Sequence, residues 1–159
     1  MRTDENAPTV HDPTERAQTT HASPMKMALR VVTALALLVD AVVHLRLAPG
    51  YQLSAPGGIG VGNLFRIEAL VALAAAALVL VRGTVGSYSA AFLVAVSALG
   101  AVLLYRYVNV PTLGPLPAMY EPVWFPEKTF SAVAEAIAAA VAGVAVLSSG
   151  PVHLGKHKQ

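Results

Sequence analysis

Four long apolar runs determine what this chain can fold into. They lie within residues 27–47, 63–82, 88–108 and 128–148. Each is close to the roughly 20 residues that an α-helix needs to cross a hydrocarbon core of about 30 Å. Because lipid offers no hydrogen bonds, the backbone groups of such runs must be satisfied within a helix. The sequence therefore predicts an all-α polytopic membrane protein, an up-down bundle of four transmembrane helices over residues 25–148.

The composition agrees with this fold class and excludes several others. Hydrophobic residues make up 55% of the chain and charged residues only 13%, well below the roughly 25% typical of soluble domains. The formal net charge of +2 is small and scattered, so we expect no nucleic-acid partner. The absence of cysteine excludes disulfides, thiolate metal ligands and a thiol nucleophile. The expected partners are the lipid bilayer and either another membrane protein or a second copy of this chain. We expect no cofactor.

The segments between and outside the helices are polar or rich in helix breakers. Residues 1–24 lack apolar periodicity and predict a disordered tail, and residues 149–159 predict a second, short tail. Prolines and glycines predict loops over 48–62 and 109–126. The second loop also holds aromatic residues, which is typical of a segment at headgroup level that covers the mouth of a bundle.

Positive charge predicts the orientation of the bundle. Lysine and arginine residues flank the start of the first helix, the turn after the second and the end of the fourth: Lys26, Arg30, Arg82, Lys156 and Lys158. In an up-down bundle these positions share one side, which the positive-inside rule places in the cytoplasm. We therefore expect a multi-pass protein of the cell membrane with both termini cytoplasmic and both loops facing outward.

Ionisable residues interrupt the apolar runs. Asp40 and His44 are four residues apart in the first run, so on a helix they share one face. Such groups are costly in a bilayer unless they have partners. Asp40 and Glu135 each lie seven residues from the outer end of their runs, or roughly 10 Å below the outer boundary. The topology therefore predicts a polar layer in the outer half of the bundle. Its predicted members are Asp40, His44, Arg66, Glu68, Arg106 and Glu135.

Three interpretations of this polar layer are open. The layer could be structural, with arginines and carboxylates neutralising one another at the helix ends. It could line a binding or catalytic pocket in which the carboxyls and His44 exchange protons with a ligand, and in which Arg66 and Arg106 hold an anionic group. It could bind a metal through one nitrogen and three oxygens from His44, Asp40, Glu68 and Glu135, a set that suits iron, manganese or zinc. We assign no residue as catalytic and expect no bound metal.

The depth of the layer limits the functions that fit. The inner half of each run has no ionisable residue until Arg30 and Arg82, whereas a proton or ion pathway needs polar groups through the whole span. The sequence therefore favours a non-enzymatic membrane component: an accessory or scaffold subunit, or a binder of a lipid or small ligand. The alternative is a membrane-embedded oxidoreductase or transporter-like protein that uses Asp40, His44 and Glu135.

A short series of residues in the first half of the chain carries a resemblance. It comprises His44-Leu45, Leu47, Tyr51, Ile59-Gly60 and Leu64-Phe65. In this order they resemble a group of uncharacterised four-helix integral membrane proteins of actinobacteria, and the fold is similar to that of DoxX-type membrane proteins. The resemblance implies architecture and compartment. It transfers no functional residue, because similarity of fold does not carry function.

Overall fold

The computed structural model describes residues 24–149, and within this range the chain forms four helices and no strand. The helices are α1 (Pro24–Ser54), α2 (Val61–Arg82), α3 (Val85–Tyr107) and α4 (Pro126–Leu147). Each is long and apolar enough to cross a membrane. The predicted all-α bundle of four membrane-spanning helices is confirmed. Of the two predicted tails, residues 1–23 and 150–159 lie outside the described part of the chain.

Small side chains form most of the bundle core. α1 packs against α2 and α4, α3 packs mainly against α4, and α2 and α3 contact each other less closely. The core is largely alanine, with Leu37 and Val79 as its largest fully buried apolar residues. A Cβ added to Gly62 of α2 would collide with the backbone oxygen of Ala48 in α1. Such close approach is what small residues permit between membrane helices.

Backbone and capping contacts close one end of the bundle, where α2 turns into α3. Gly83 ends α2 in the left-handed conformation with φ 55°, which glycine adopts without steric cost. Thr84 then caps α3, because its side-chain oxygen accepts a hydrogen bond from the Ser87 N–H at 3.3 Å. Arg30 Nη2 donates to the Arg82 oxygen at 3.1 Å and so connects the first turns of α1 to this end. We call it the termini end, because α1 begins there and α4 ends there.

The segment 108–125 folds back on itself across the opposite end, which we call the loop end. Val110 and Met119 exchange backbone hydrogen bonds at 3.1 and 3.0 Å. Leu113 and Leu116 form a second such pair closer to the tip of the segment. The Ile59 N–H donates to the oxygen of Pro115 at 2.9 Å and joins the segment to the α1–α2 connection. We call residues 108–125 the covering segment.

The prediction that α1 ends near residue 47 is wrong. The helix continues seven residues further to Ser54 and includes Pro49, although proline lacks the N–H that continues the backbone ladder. Contacts with α2 hold this last part in place. The ring of Tyr51 packs on Phe65 with centroids 4.8 Å apart, and Gln52 Oε1 accepts a hydrogen bond from the Asn63 N–H at 3.0 Å. Tertiary contacts therefore outweigh the local preference for a break.

Candidate functional site

Four polar side chains from α1 and α4 meet in the bundle interior. They are Asp40, His44, Ser131 and Glu135, with exposed fractions of 1%, 8%, 3% and 0%. We call them the polar cluster. His44 Nδ1 lies 2.9 Å from Asp40 Oδ1 and 3.1 Å from the Asp40 backbone oxygen. A protonated Nδ1 can donate to both, and this leaves Nε2 as the free nitrogen of the ring.

Ser131 connects the two helices through its hydroxyl. The hydroxyl donates to Asp40 Oδ1 at 2.7 Å and lies 3.0 Å from Glu135 Oε1. A serine hydroxyl carries a single hydrogen, so both contacts are hydrogen bonds only if one carboxyl also carries a proton. Asp40 already accepts from His44, so Glu135 is the member placed to hold that proton and donate it to the serine oxygen.

Two oxygen atoms of the polar cluster have no hydrogen-bond partner among residues 24–149. These buried atoms are Asp40 Oδ2 and Glu135 Oε2. Leaving a buried acceptor unsatisfied costs about 1–3 kcal/mol, and more for a charged group. One potential ligand atom from each of Asp40, His44 and Glu135 lies within 4.8 Å of the others. The cluster therefore has carboxyl oxygens that can still bind an ion or accept a hydrogen bond from a polar ligand.

Aromatic contacts hold the imidazole in place. The ring of Phe65 in α2 meets the ring of His44 edge to face, with centroids 5.1 Å apart and an interplanar angle of 87°. Phe65 is in turn held by Tyr51. The orientation of His44 is thus set by Asp40 on one side and by α2 on the other.

A cavity of about 310 Å³ lies between the polar cluster and the covering segment. All four helices contribute to its lining, and its deeper polar residues are His44, Glu68 and Ser131. Most of the remaining wall is apolar. Ile67 of α2, 52% exposed, and Ser97 of α3, also exposed, line the cavity as well. The cavity therefore opens between α2 and α3 onto the apolar outer surface of the bundle.

Polar contacts close the cavity at the loop end. The Tyr51 hydroxyl donates to Glu121 Oε2 at 2.9 Å, and the Glu121 N–H donates to the Tyr105 oxygen at 2.9 Å. Lys128, only 7% exposed, donates through Nζ to the backbone oxygens of Glu121 and Val123. These bonds attach the covering segment to α1, α3 and α4 directly above the cavity.

The predicted polar layer is brought together only in part. Asp40, His44 and Glu135 meet as described, and Glu68 lines the same cavity as His44. Neither predicted arginine lines the cavity. Arg66 is exposed and donates to Asn63 Oδ1 at 2.7 Å. The guanidinium of Arg106 lies 5.1 Å from the ring centroid of Tyr107.

Several site residues do not appear in the predicted polar layer. Ser131 has a signal in the sequence, because it precedes Glu135 by four residues, the spacing that places side chains on one helix face. Lys128 is one further turn along that face, three residues before Ser131. Tyr51 and Glu121 have no comparable signal, because they meet only through the path of the covering segment.

Comparison with protein-family models, curated proteins and solved structures finds no match to this chain. The resemblance to four-helix actinobacterial proteins stays a prediction. The chemistry of the site is therefore inferred from its own geometry.

Proposed function

We propose that the protein binds a lipid-soluble small molecule whose polar end is a hydroxyl or an amine. The observation that carries this proposal is the cavity, which combines an apolar wall with polar groups that have free acceptor capacity. Ligand sites in proteins are typically concave and mostly apolar, with a few polar groups that fix orientation. At about 310 Å³, this cavity fits a polar headgroup and the first part of an apolar chain.

The hydrogen-bond inventory favours a ligand that donates. The hydroxyl of Tyr51 and the ammonium of Lys128 already donate to Glu121 and its neighbours in the covering segment. The acceptors are less fully used: His44 keeps Nε2 when Nδ1 donates to Asp40, and Glu68 has a buried oxygen without a partner among the described residues. Tyr105 adds a hydroxyl that can donate or accept. A hydroxyl or an ammonium complements this set, and a carboxylate does not.

The side opening supports a ligand that arrives from the bilayer. Ser97 is about ten residues from the end of α3 at Tyr107, which is about 15 Å along the helix. A cavity that reaches the outer surface at this depth faces the hydrocarbon of a membrane. An apolar chain can therefore stay between α2 and α3 while its headgroup reaches His44 and Glu68.

The core on the termini side of the polar cluster supports binding rather than passage. Leu37 and Ala138 are fully buried there, and the buried polar side chains on this side are the hydroxyl residues Thr33 and Ser87. An ion pathway needs polar groups along its whole length, and the described helices carry no charged residue on this side before their ends. We propose a non-enzymatic role, as a ligand-binding accessory component of the cell membrane. The charges at the termini end, including Arg30 and Arg82, support a cytoplasmic location for this end of the bundle under the positive-inside rule. The cavity would then serve the outer leaflet.

Three single-chain amphiphiles of equal length test the proposal. Decanol, decylamine and decanoate differ only in headgroup, and their binding to the protein in lipid nanodiscs can be measured by displacement of a fluorescent fatty-alcohol probe. We expect the alcohol and the amine to displace the probe at least tenfold more effectively than the carboxylate. Equal displacement by all three would contradict the proposed headgroup preference.

Two variants locate this binding in the cavity. Glu68→Gln removes the charge that complements an ammonium, and a hydrogen bond to a charged group contributes about 1.5–3 kcal/mol. We expect tenfold or greater loss of decylamine affinity and a smaller effect on decanol. Glu127→Gln is the matched control, because Glu127 is exposed in the first turn of α4, and it should change neither. If both variants behaved alike, the cavity would not be the binding site.

A further inference from the structure

We propose that Asp40, His44 and Glu135 form a binding site for a divalent cation of the zinc class, beneath the ligand cavity. This inference is argued without the proposed ligand, but the two sites share His44, whose free nitrogen serves either the headgroup or the cation. It rests on three observations: the composition and spacing of the donor atoms, their unmet hydrogen-bond capacity, and the charge balance that their burial requires.

The donor set matches borderline transition metals. One imidazole and two carboxylates offer a nitrogen and up to four oxygens, a set that suits zinc, iron and manganese. Ligand atoms from the three residues lie within 4.8 Å of one another. In tetrahedral coordination at about 2.1 Å, two ligand atoms of one zinc lie about 3.4 Å apart. Separations of up to 4.8 Å must therefore shrink by up to about 1.4 Å, which requires the side chains to rotate towards the ion.

Two carboxyl oxygens are available to a cation when both acids are ionised, whereas a protonated Glu135 can instead donate to the neighbouring Asp40 carboxyl. Asp40 and Glu135 are 1% and 0% exposed, and each has one buried carboxyl oxygen without a hydrogen-bond partner in the described chain. The Ser131 hydroxyl lies 2.7 Å from Asp40 Oδ1 and 3.0 Å from Glu135 Oε1. When both carboxyls are ionised around a cation, the single hydrogen of this hydroxyl orients only one of them, Asp40 at the shorter distance. Asp40 Oδ2 and Glu135 Oε2 are then available to the cation.

Charge balance also favours a cation. Two buried carboxylates and a neutral imidazole carry a charge of −2, which a divalent cation neutralises, and buried charges are tolerated only when they are paired or bound to metal. Without a cation, the charge of −2 must be reduced by protons, on one carboxyl or on the imidazole of His44.

The full-length chain can be made to carry a single imidazole for the test. The other histidines are His11, His21, His153 and His157, and their replacement by alanine leaves His44 alone. In nanodiscs, after removal of metal with a chelator, zinc binding is measured by competition with a chromogenic chelator. We expect one zinc per chain. We also expect the ¹⁵N resonances of the labelled His44 ring to shift on addition of one equivalent.

Variants then assign the carboxylates. Glu135→Gln, which can keep the hydrogen bond to Ser131, should weaken zinc binding at least 100-fold, and Glu127→Gln should leave it unchanged. Zinc binding that left the His44 resonances unmoved, or a stoichiometry far below one per chain, would overturn the inference. The same holds if Glu135→Gln bound zinc as tightly as its parent. Because the histidine resonances need no substitution within the cluster, a variant that failed to fold would not prevent the decision.

Decanol binding and zinc binding are separable results. Loss of the amphiphile preference with intact zinc binding would overturn only the proposed function. The reverse outcome would overturn only the metal site.

Discussion

Replacing Ser131 with alanine removes the hydroxyl that connects α1 to α4. Asp40 would keep its contacts with His44 and with the neighbouring Glu135 carboxyl, and Glu135, which is fully buried, would lose the hydroxyl beside its Oε1. Hydrogen bonds between membrane helices contribute about 0.6 kcal/mol on average and about 1.7 at most. A newly unsatisfied buried acceptor costs about 1–3 kcal/mol. Together these values predict that Ser131→Ala lowers the free energy of unfolding by about 2 kcal/mol, or roughly 30-fold in the unfolding equilibrium constant.

Unfolding with SDS in mixed micelles, followed by circular dichroism, measures this loss. Ser97→Ala is the matched control, since the Ser97 hydroxyl is exposed and donates within its own helix to the Val94 oxygen at 2.8 Å. We expect the control to change stability by less than about 0.5 kcal/mol, as surface substitutions usually do. If Ser131→Ala were as mild as Ser97→Ala, the hydroxyl would not connect the helices and the proposed cluster geometry would be refuted.

The remaining predictions concern the proton, the helix contact and the covering segment. Glu135→Gln supplies a permanent donor to the serine hydroxyl and should lower the free energy of unfolding by less than about 1 kcal/mol. Asp40→Asn removes one partner of a buried pair and should lower it by about 3 kcal/mol. Equal losses in SDS unfolding would contradict the assignment of the proton to Glu135. Gly62→Ala forces α1 and α2 apart and should destabilise by more than about 2 kcal/mol, whereas Gly100→Ala, which meets nothing within 4 Å, should stabilise α3 by up to about 1 kcal/mol. The same SDS unfolding assay compares them, and a mild effect of Gly62→Ala would show that α1 and α2 do not approach as closely at Gly62 as the structure indicates. Tyr51→Phe releases the covering segment from α1 and should accelerate its amide hydrogen exchange at least several-fold; unchanged exchange would show that other contacts hold it.

The sequence predicts the bundle well because lipid leaves few alternatives. A run of about 20 apolar residues can satisfy its backbone only as a helix, so helix number and order follow directly. The end of α1 does not follow, because Pro49 and Gly50 predict a break while the contacts of Tyr51 and Gln52 with α2 extend the helix. Local preference is informative only where tertiary contacts do not oppose it.

The candidate site is predictable to the extent that burial of charge is costly. Asp40, His44 and Glu135 stand out because ionisable residues in apolar runs need partners, and the structure gives them partners. Ser131 does not stand out by composition, since serine is inexpensive in an alanine-rich helix. The arginines at the helix ends show what the sequence does not predict. A residue at the right depth can still point away from the bundle interior, and Arg66 is exposed on the outside of α2. Depth follows from the sequence, but side-chain direction depends on how each helix is rotated in the bundle.

Mapping a bound ligand most directly tests the central claim, that a ligand binds in the cavity that opens between α2 and α3. A long-chain alcohol that carries a photoreactive diazirine near its hydroxyl can be crosslinked to the protein in native membranes and located by mass spectrometry. We predict labelling at cavity-lining positions such as Phe65, Ala101 and Met119, with strong reduction by excess decanol. Labelling spread over lipid-facing residues such as Leu70 and Leu93, without competition by decanol, would contradict it.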